Sequence, residues 1–162
     1  MAHKIVVVGV NHAGTSAIRT LLSQNSEHKV IAFDRNTNIS FLGCGIALTV
    51  SGVVEDVNDL FYSDCDQLGG LGADVFMNTE VVRIDTDAKE VFVRDLANGN
   101  EWKESYDKLI YAAGSWPIEF RLTNGDLENI HICKLFQHAE ELIEKASEPG
   151  IESVAVVGAG YI

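Results

Sequence analysis

Apolar residues along the 162-residue chain fall into short compact runs that end on glycine or acidic residues, with stretches of helical spacing between them. The first run, Lys4 to Gly9, is rich in valine, and beyond Gly14 the residues Ala17, Ile18, Leu21 and Leu22 recur on one helix face. Val30 to Phe33 is a second apolar run, closed by Asp34. Strand, glycine turn, helix and strand in this order make a βαβ unit. That unit implies a parallel sheet, because parallel neighbours need a crossover long enough to hold a helix.

The middle of the chain has a different pattern. Asp74 to Met77, Glu80 to Ile84 and Glu90 to Leu96 read as strands, and Ala97-Asn98-Gly99-Asn100 is a turn signal ahead of another strand at Trp102 to Ser105. The expectation is an antiparallel meander covering one side of the sheet. Leu109 to Ala113 returns as a buried strand ending at Gly114, and Leu135 to Ala146 has Ala139, Leu142, Ile143 and Ala146 at helical spacing. Ser153 to Val157 is a last valine-rich strand that runs into Gly158-Ala159-Gly160. The strand-glycine pattern thus occurs twice, and the final glycine of the second copy would fall just after Ile162. Residues 1–150 are expected to form one dinucleotide-binding domain, incomplete as it stands, and residues 151–162 the opening strand and turn of a second, within a longer protein.

Composition narrows the partners. With 24 acidic against 12 basic residues the net charge is -12, which opposes a polyanionic surface, so nucleic acid is not expected as a partner. No apolar run approaches the roughly 20 residues of a membrane span, and no signal-peptide pattern opens the chain; a cytoplasmic protein without a membrane partner is expected. Cys44, Cys65 and Cys133 are far apart and odd in number, which suggests neither a disulfide framework nor a zinc site. His3, His28, His131 and His138 show no ligand spacing, and no metal is expected.

Three positions carry candidate chemistry. The turn Gly9-Val10-Asn11-His12-Ala13-Gly14 opens a helix, whose N-terminal N–H groups can receive a pyrophosphate. Asn11 replaces the middle glycine of that fingerprint, and glycine turns also serve simply to pack a helix on a sheet. Asp34 ends the second strand 20 residues after Gly14, where a carboxylate accepts hydrogen bonds from a ribose hydroxyl pair. Its other reading is a solvated strand-end carboxylate paired with Arg35. Cys44 stands between Gly43 and Gly45 at the start of an expected helix, a setting that favours thiolate over thiol. The spacing leaves equally open a small, inert, buried cysteine.

Taken together, Val8 to Thr15, Asn38 to Leu48, Tyr106-Asp107-Lys108-Leu109-Ile110 leading to Ala113-Gly114-Ser115-Trp116-Pro117, and Val156 to Ile162 resemble the NADH oxidase and NADH peroxidase branch of the pyridine nucleotide-disulphide oxidoreductases. Ser40-Phe41-Leu42-Gly43-Cys44-Gly45-Ile46-Ala47-Leu48 is most similar to the water-forming NADH oxidases. The resemblance implies an α/β fold: a Rossmann-like FAD-binding domain with a parallel sheet and antiparallel meander, followed by the start of a Rossmann-like NAD domain. It implies FAD as cofactor, NADH as substrate, dioxygen or peroxide as oxidant, and a homodimer or higher homo-oligomer as the parent assembly.

The same resemblance carries roles onto residues. Cys44 would cycle between thiolate and sulfenic acid beside the flavin, the first rung of thiol oxidation. His12 matches the histidine that faces this cysteine and would move protons, although a helix-start hydrogen bond is its alternative role. Gly9, Val10, Asn11, His12, Ala13 and Gly14 would form the pyrophosphate turn, Asp34 with Arg35 beside it the ribose contact, and Val81 a contact near the adenine. Ala112, Ala113, Gly114 and Ser115 would touch FAD a second time, and Lys134 stands where the family has a basic residue. Gly158, Gly160, Tyr161 and Ile162 match the start of the NADH site. Two neighbouring activities fit the same motifs, an NADH peroxidase and a coenzyme A disulfide reductase, as does a catalytically inactive FAD-binding fragment.

Overall fold

The computed structural model describes residues 1–117 and 129–158. In chain order the elements are β1 (Lys4–Val8), α1 (His12–Gln24), β2 (Lys29–Phe33), α2 (Ile46–Val50), α3 (Cys65–Gly70), β3 (Ala73–Phe76), β4 (Thr79–Asp85), β5 (Glu90–Asp95), β6 (Glu101–Ser105), β7 (Lys108–Tyr111) and α4 (Phe136–Ala146). Short 3-10 turns at Gly43–Gly45 and Val57–Leu60 punctuate the long connection after β2. The chain forms two compact units, one of residues 1–42 and 56–116, the other of residues 43–55 and 117–162.

The first unit is built on a parallel sheet of order β3-β2-β1-β7. β1 and β2 lie side by side with Val6 opposite Ile31 and Val8 opposite Phe33. Alternation along these two strands explains why both read as unbroken apolar runs, since each face is covered. Ile5 and Val7 of β1, with Val30 and Ala32 of β2, pack against Ile18 and Leu22 of α1 and Leu68 of α3. The opposite residues Val6, Val8, Ile31 and Phe33 pack against Val91, Val93, Tyr106 and the partly buried Trp102. The antiparallel sheet β4-β5-β6 supplies most of that second layer, so a meander does cover one side of the parallel sheet.

Three sequence expectations need correction. The strand at Asp74 to Met77 belongs to the parallel sheet, as β3 beside β2, with Phe33 opposite Phe76. Its local pattern does not distinguish the two sheets; the connection from residue 34 to 72, which contains α3 packed on β3, is what permits the parallel crossover. The strand at Leu109 to Ala113 is β7, at the sheet edge and only partly buried, with Tyr111 70% exposed. Over Ser153 to Val157 no strand forms among the described residues, and Val154, Val156 and Val157 are exposed.

In the second unit the turn at Gly43–Gly45 runs directly into α2, which packs against α4. α4 begins where the spacing placed it. The backbone N–H groups of Lys134 and Leu135 donate to His138 Nδ1 (3.2 and 3.1 Å), so a histidine inside the first turn fixes the helix start. Among the described residues no helix is long and apolar enough to cross a membrane.

Candidate active site

The glycine turn sits at the C-terminal end of β1, where open α/β sheets receive ligands. Gly9 has φ +90°, and a Cβ there would lie 2.4 Å from the Ala112 carbonyl oxygen. A Cβ on Gly14 would lie 1.9 Å from the Gly9 carbonyl oxygen, so the helix seats on the turn only with glycine. Asn11 has φ -87° and needs no glycine; its side-chain oxygen accepts the Phe41 N–H at 3.1 Å. α1 starts at His12, inside the turn, earlier than the apolar spacing indicated. No side-chain cap closes its N-terminus and no acidic residue stands in its first turn, so the first-turn donors of a 13-residue helix face an anion-compatible end. These features fit a pyrophosphate.

Asp34 is buried, and its carboxylate is the keystone of the turn. One oxygen accepts the Val10 N–H at 2.7 Å; the other accepts the backbone and side-chain N–H groups of Asn36, both at 2.9 Å. Arg35 does not pair with it. The Arg35 guanidinium instead faces Glu80 at 3.8 Å and lies over the Trp116 ring at 5.4 Å. Val81 stands opposite Val93, packed on the core, and the bulge that follows leaves Val82 as the exposed member of the pair.

The segment after β7 closes the same end of the sheet. Ala112 donates to the Val8 carbonyl at 2.8 Å, Gly114 takes φ +73°, and Ala113, Gly114 and Ser115 are exposed. A strap from the β2 end is pinned over the turn. Ser40, fully buried at φ +57°, donates its N–H to the Val10 carbonyl at 3.1 Å, and its hydroxyl meets that of Thr15 at 2.8 Å. Next to it the exposed His12 ring stacks on Tyr62, with centroids 5.1 Å apart and planes 3° from parallel. Burial raises the Tyr62 phenol above its ordinary range, against a smaller opposing effect of the Thr15 and Ser40 hydroxyls.

Cys44, Lys134 and Gly158 belong to the second unit. Cys44 is exposed in the 3-10 turn Gly43–Gly45, and the helix beyond it, α2, has five residues. The helix expected to start at Cys44 therefore starts two positions later and is short. Lys134 is half-buried just before α4, and Gly158 has φ +101°. Gly160, Tyr161 and Ile162 lie outside the described residues. Of the remaining thiols, Cys133 is exposed, whereas Cys65 packs on the core and burial, reinforced by Asp64, Asp66 and Asp34, holds its thiol above the ordinary range.

Residues 3–162 match the family model described as pyridine nucleotide-disulphide oxidoreductase. The chain belongs to the pyridine nucleotide-disulphide oxidoreductases. It is 51% identical to an NADH oxidase of Mycoplasma pneumoniae and 49% identical to one of Mycoplasma genitalium, in each case over 98% of this chain and 37% of the relative. Among solved structures it is similar to the water-forming NADH oxidase from Lactobacillus brevis bound to NADH, with 46% identity and a TM-score of 0.88, over 91% of this chain and 33% of that one. The chain thus spans about a third of the length of these relatives.

Within this family member the glycine turn, Asp34 and the Ala112 to Ser115 segment converge at one end of the first unit's sheet. Cys44, Lys134 and Gly158 lie in the other unit. Sequence reasoning missed Thr15, Asn36 and Tyr62 as builders of the site. Thr15 and Ser40 are 25 residues apart, so no local spacing announces their contact. Asn36 was in reach, since an Asp-x-Asn stretch after a strand is a recognisable side-chain turn.

Proposed function

We propose that this chain forms the FAD-binding and thiol-bearing part of an NADH oxidase, in which electrons from NADH reach dioxygen or peroxide by way of FAD and Cys44. The uncapped N-terminus of α1, held behind Gly9 and Gly14, is the observation that carries the reading. The NADH oxidases of similar sequence support the activity, and the NADH-bound Lactobacillus brevis enzyme supports the reductant. FAD, when bound, supplies the hydride and electron chemistry.

The chain's own residues have simpler tasks. N–H groups of Asn11, His12 and Ala13 hold the pyrophosphate, and Gly9, Val10 and Gly14 shape their approach. Asp34, whose oxygens already accept three N–H groups, offers its remaining acceptor capacity to a ribose hydroxyl. Arg35 and Val81 border the adenosine half, and Ala112 to Ser115 follow the flavin half. Cys44 is the thiol that oxidises, and His12 supplies or removes the proton. Lys134 offers a positive charge, and Gly158 to Ile162 begin the NADH site. A homo-oligomer is the assembly this reading expects.

Mass analysis of the peroxide-treated chain tests the thiol assignment. One added oxygen, trapped as sulfenic acid at Cys44 ahead of Cys133, which is also exposed, supports the oxidase or peroxidase reading. Oxidation of Cys133 with Cys44 still reduced overturns the assignment, and a stable coenzyme A adduct at Cys44 moves it to a disulfide reductase.

A further inference from the structure

Val10 lies between the two glycines of the turn and is wholly buried, with both polar groups of its backbone committed. Its N–H donates to Asp34 at 2.7 Å, and its carbonyl accepts twice, from the Ser40 N–H at 3.1 Å and from the Thr15 hydroxyl at 2.8 Å. The last of these bonds is unusual for a helix. A helical threonine ordinarily returns its hydroxyl to the carbonyl three or four residues back. Thr15 reaches five back, past the start of α1 and into the turn. With its proton spent there, Thr15 can only accept in its 2.8 Å contact with the Ser40 hydroxyl, so Ser40 donates. Serine at position 40 is also a costly choice. Its φ of +57° suits glycine, and glycine would bring the same N–H to Val10 without the strain; what serine adds is the hydroxyl. The strap is clamped from its other side, where the Tyr62 N–H donates to the Ser40 carbonyl at 3.2 Å and the Leu42 N–H to the Leu60 carbonyl at 2.8 Å.

The Val10–Asn11 peptide is planar and trans, so its carbonyl and its N–H point in opposite directions. Two donors hold the carbonyl inward, and the Asn11 N–H is thereby turned away from them. Asn11 is the N-cap of α1, so this N–H is one of the four amides that a helix leaves without an intrahelical acceptor. Hydrogen bonds to a carbonyl also polarise the peptide it belongs to and strengthen the N–H of that peptide as a donor. We propose that Thr15 and Ser40 are positioning residues for the pyrophosphate of FAD: their paired hydroxyls set the plane of the Val10–Asn11 peptide and so aim the Asn11 N–H at the anion. The inference rests on the reading of this turn as the pyrophosphate site. Thr15 and Ser40 are themselves buried, and neither hydroxyl touches the ligand in this arrangement. All four residues lie in the first unit.

The test titrates the 162-residue chain with ADP and follows backbone amide resonances, with Asn11 reporting the turn and Val81 the adenosine end. Affinity is measured in the same way for Thr15→Val, Thr15→Ser and Ser40→Ala. In the unmodified chain ADP should shift both resonances. Thr15→Val keeps the branched shape of the side chain but loses the hydroxyl, and should weaken ADP binding about fivefold. At saturation its Asn11 shift should shrink while its Val81 shift is retained, a split that general loosening of the fold would not produce. Thr15→Ser keeps the hydroxyl and should bind within about twofold of the unmodified chain. Ser40→Ala, which leaves Thr15 its bond to Val10, should fall between the two, and with the unmodified Asn11 shift it decides the matter if Thr15→Val fails to fold. An Asn11 resonance that stays still while Val81 moves overturns the aiming of this N–H. Full affinity in Thr15→Val, or Thr15→Ser as weak as Thr15→Val, overturns the role of the hydroxyls and leaves the pyrophosphate reading in place. ADP that moves neither resonance of the folded, unmodified chain overturns that reading and this inference together.

Discussion

Replacing Asp34 with asparagine removes a negative charge from a buried carboxylate that accepts three N–H groups, at 2.7, 2.9 and 2.9 Å. An amide has one acceptor end. If its oxygen keeps the Asn36 donors, its NH2 group faces the Val10 N–H; if it turns to Val10, two donors of Asn36 are opposed instead. Losing a charge-assisted hydrogen bond and leaving a buried donor unmatched together cost about 3 kcal/mol. The damage extends beyond one bond, because the Val10 carbonyl also receives the Ser40 N–H and the Thr15 hydroxyl. For a unit of about 100 residues that corresponds to a fall in melting temperature of about 15 °C. Urea and thermal unfolding followed by circular dichroism measure it, and flavin titration of the same variant reports whether the turn survives. A change below about 1 kcal/mol would refute the view that Asp34 is the structural keystone of the turn.

Other perturbations probe separate parts of the account. Gly14→Ala places a methyl on the Gly9 carbonyl, 1.9 Å away, and should cost about 2 kcal/mol or more in urea unfolding, with weakened FAD binding. Ser40→Gly relieves a left-handed φ while losing the Thr15 contact and should stay within about 1 kcal/mol in the same assay. Ser40→Val, branched where φ is +57°, should cost about 2 kcal/mol or more. Cys65 holds its proton to higher pH in the fold than in the unfolded chain, chiefly through burial, so its stabilising contribution is complete below pH 9.0 and is lost as pH rises through the folded value. Stability measured in urea at successive pH values above 9.0 should therefore fall, and fall less steeply in Cys65→Ala.

The β1-α1-β2 unit was legible because two covered sheet faces and one helix stripe leave continuous and 3.6-residue apolar patterns that local sequence carries in full. The meander was legible for the same reason, from its turn and its alternating strands. β3 was placed in the wrong sheet because an edge strand's alternation is the same in either setting, and a crossover of nearly forty residues decided the matter. The helix predicted at Cys44 rested on a run of apolar residues that folds as a 3-10 turn and five helical residues, between glycines that weaken helix formation. At the turn, the structural places of Gly9, Gly14 and Asp34, set by chain direction and φ, were readable. The contacts of Asn11, Thr15, Ser40 and Tyr62 were not, since each joins segments brought together by the sheet. Arg35 shows the same limit: sequence adjacency suggested Asp34 as its partner, while the bend just past β2 leaves it facing Glu80 and Trp116.

Equilibrium titration of the purified chain with FAD, followed by flavin absorption and fluorescence, tests the central claim most directly, with the Gly14→Ala variant measured in parallel. The account predicts saturable binding that perturbs the flavin spectrum and is weakened when the methyl is placed on the turn. An unmodified, folded chain that leaves the flavin signal unchanged, or binding that is indifferent to Gly14, would contradict the assignment of this turn to the pyrophosphate of FAD.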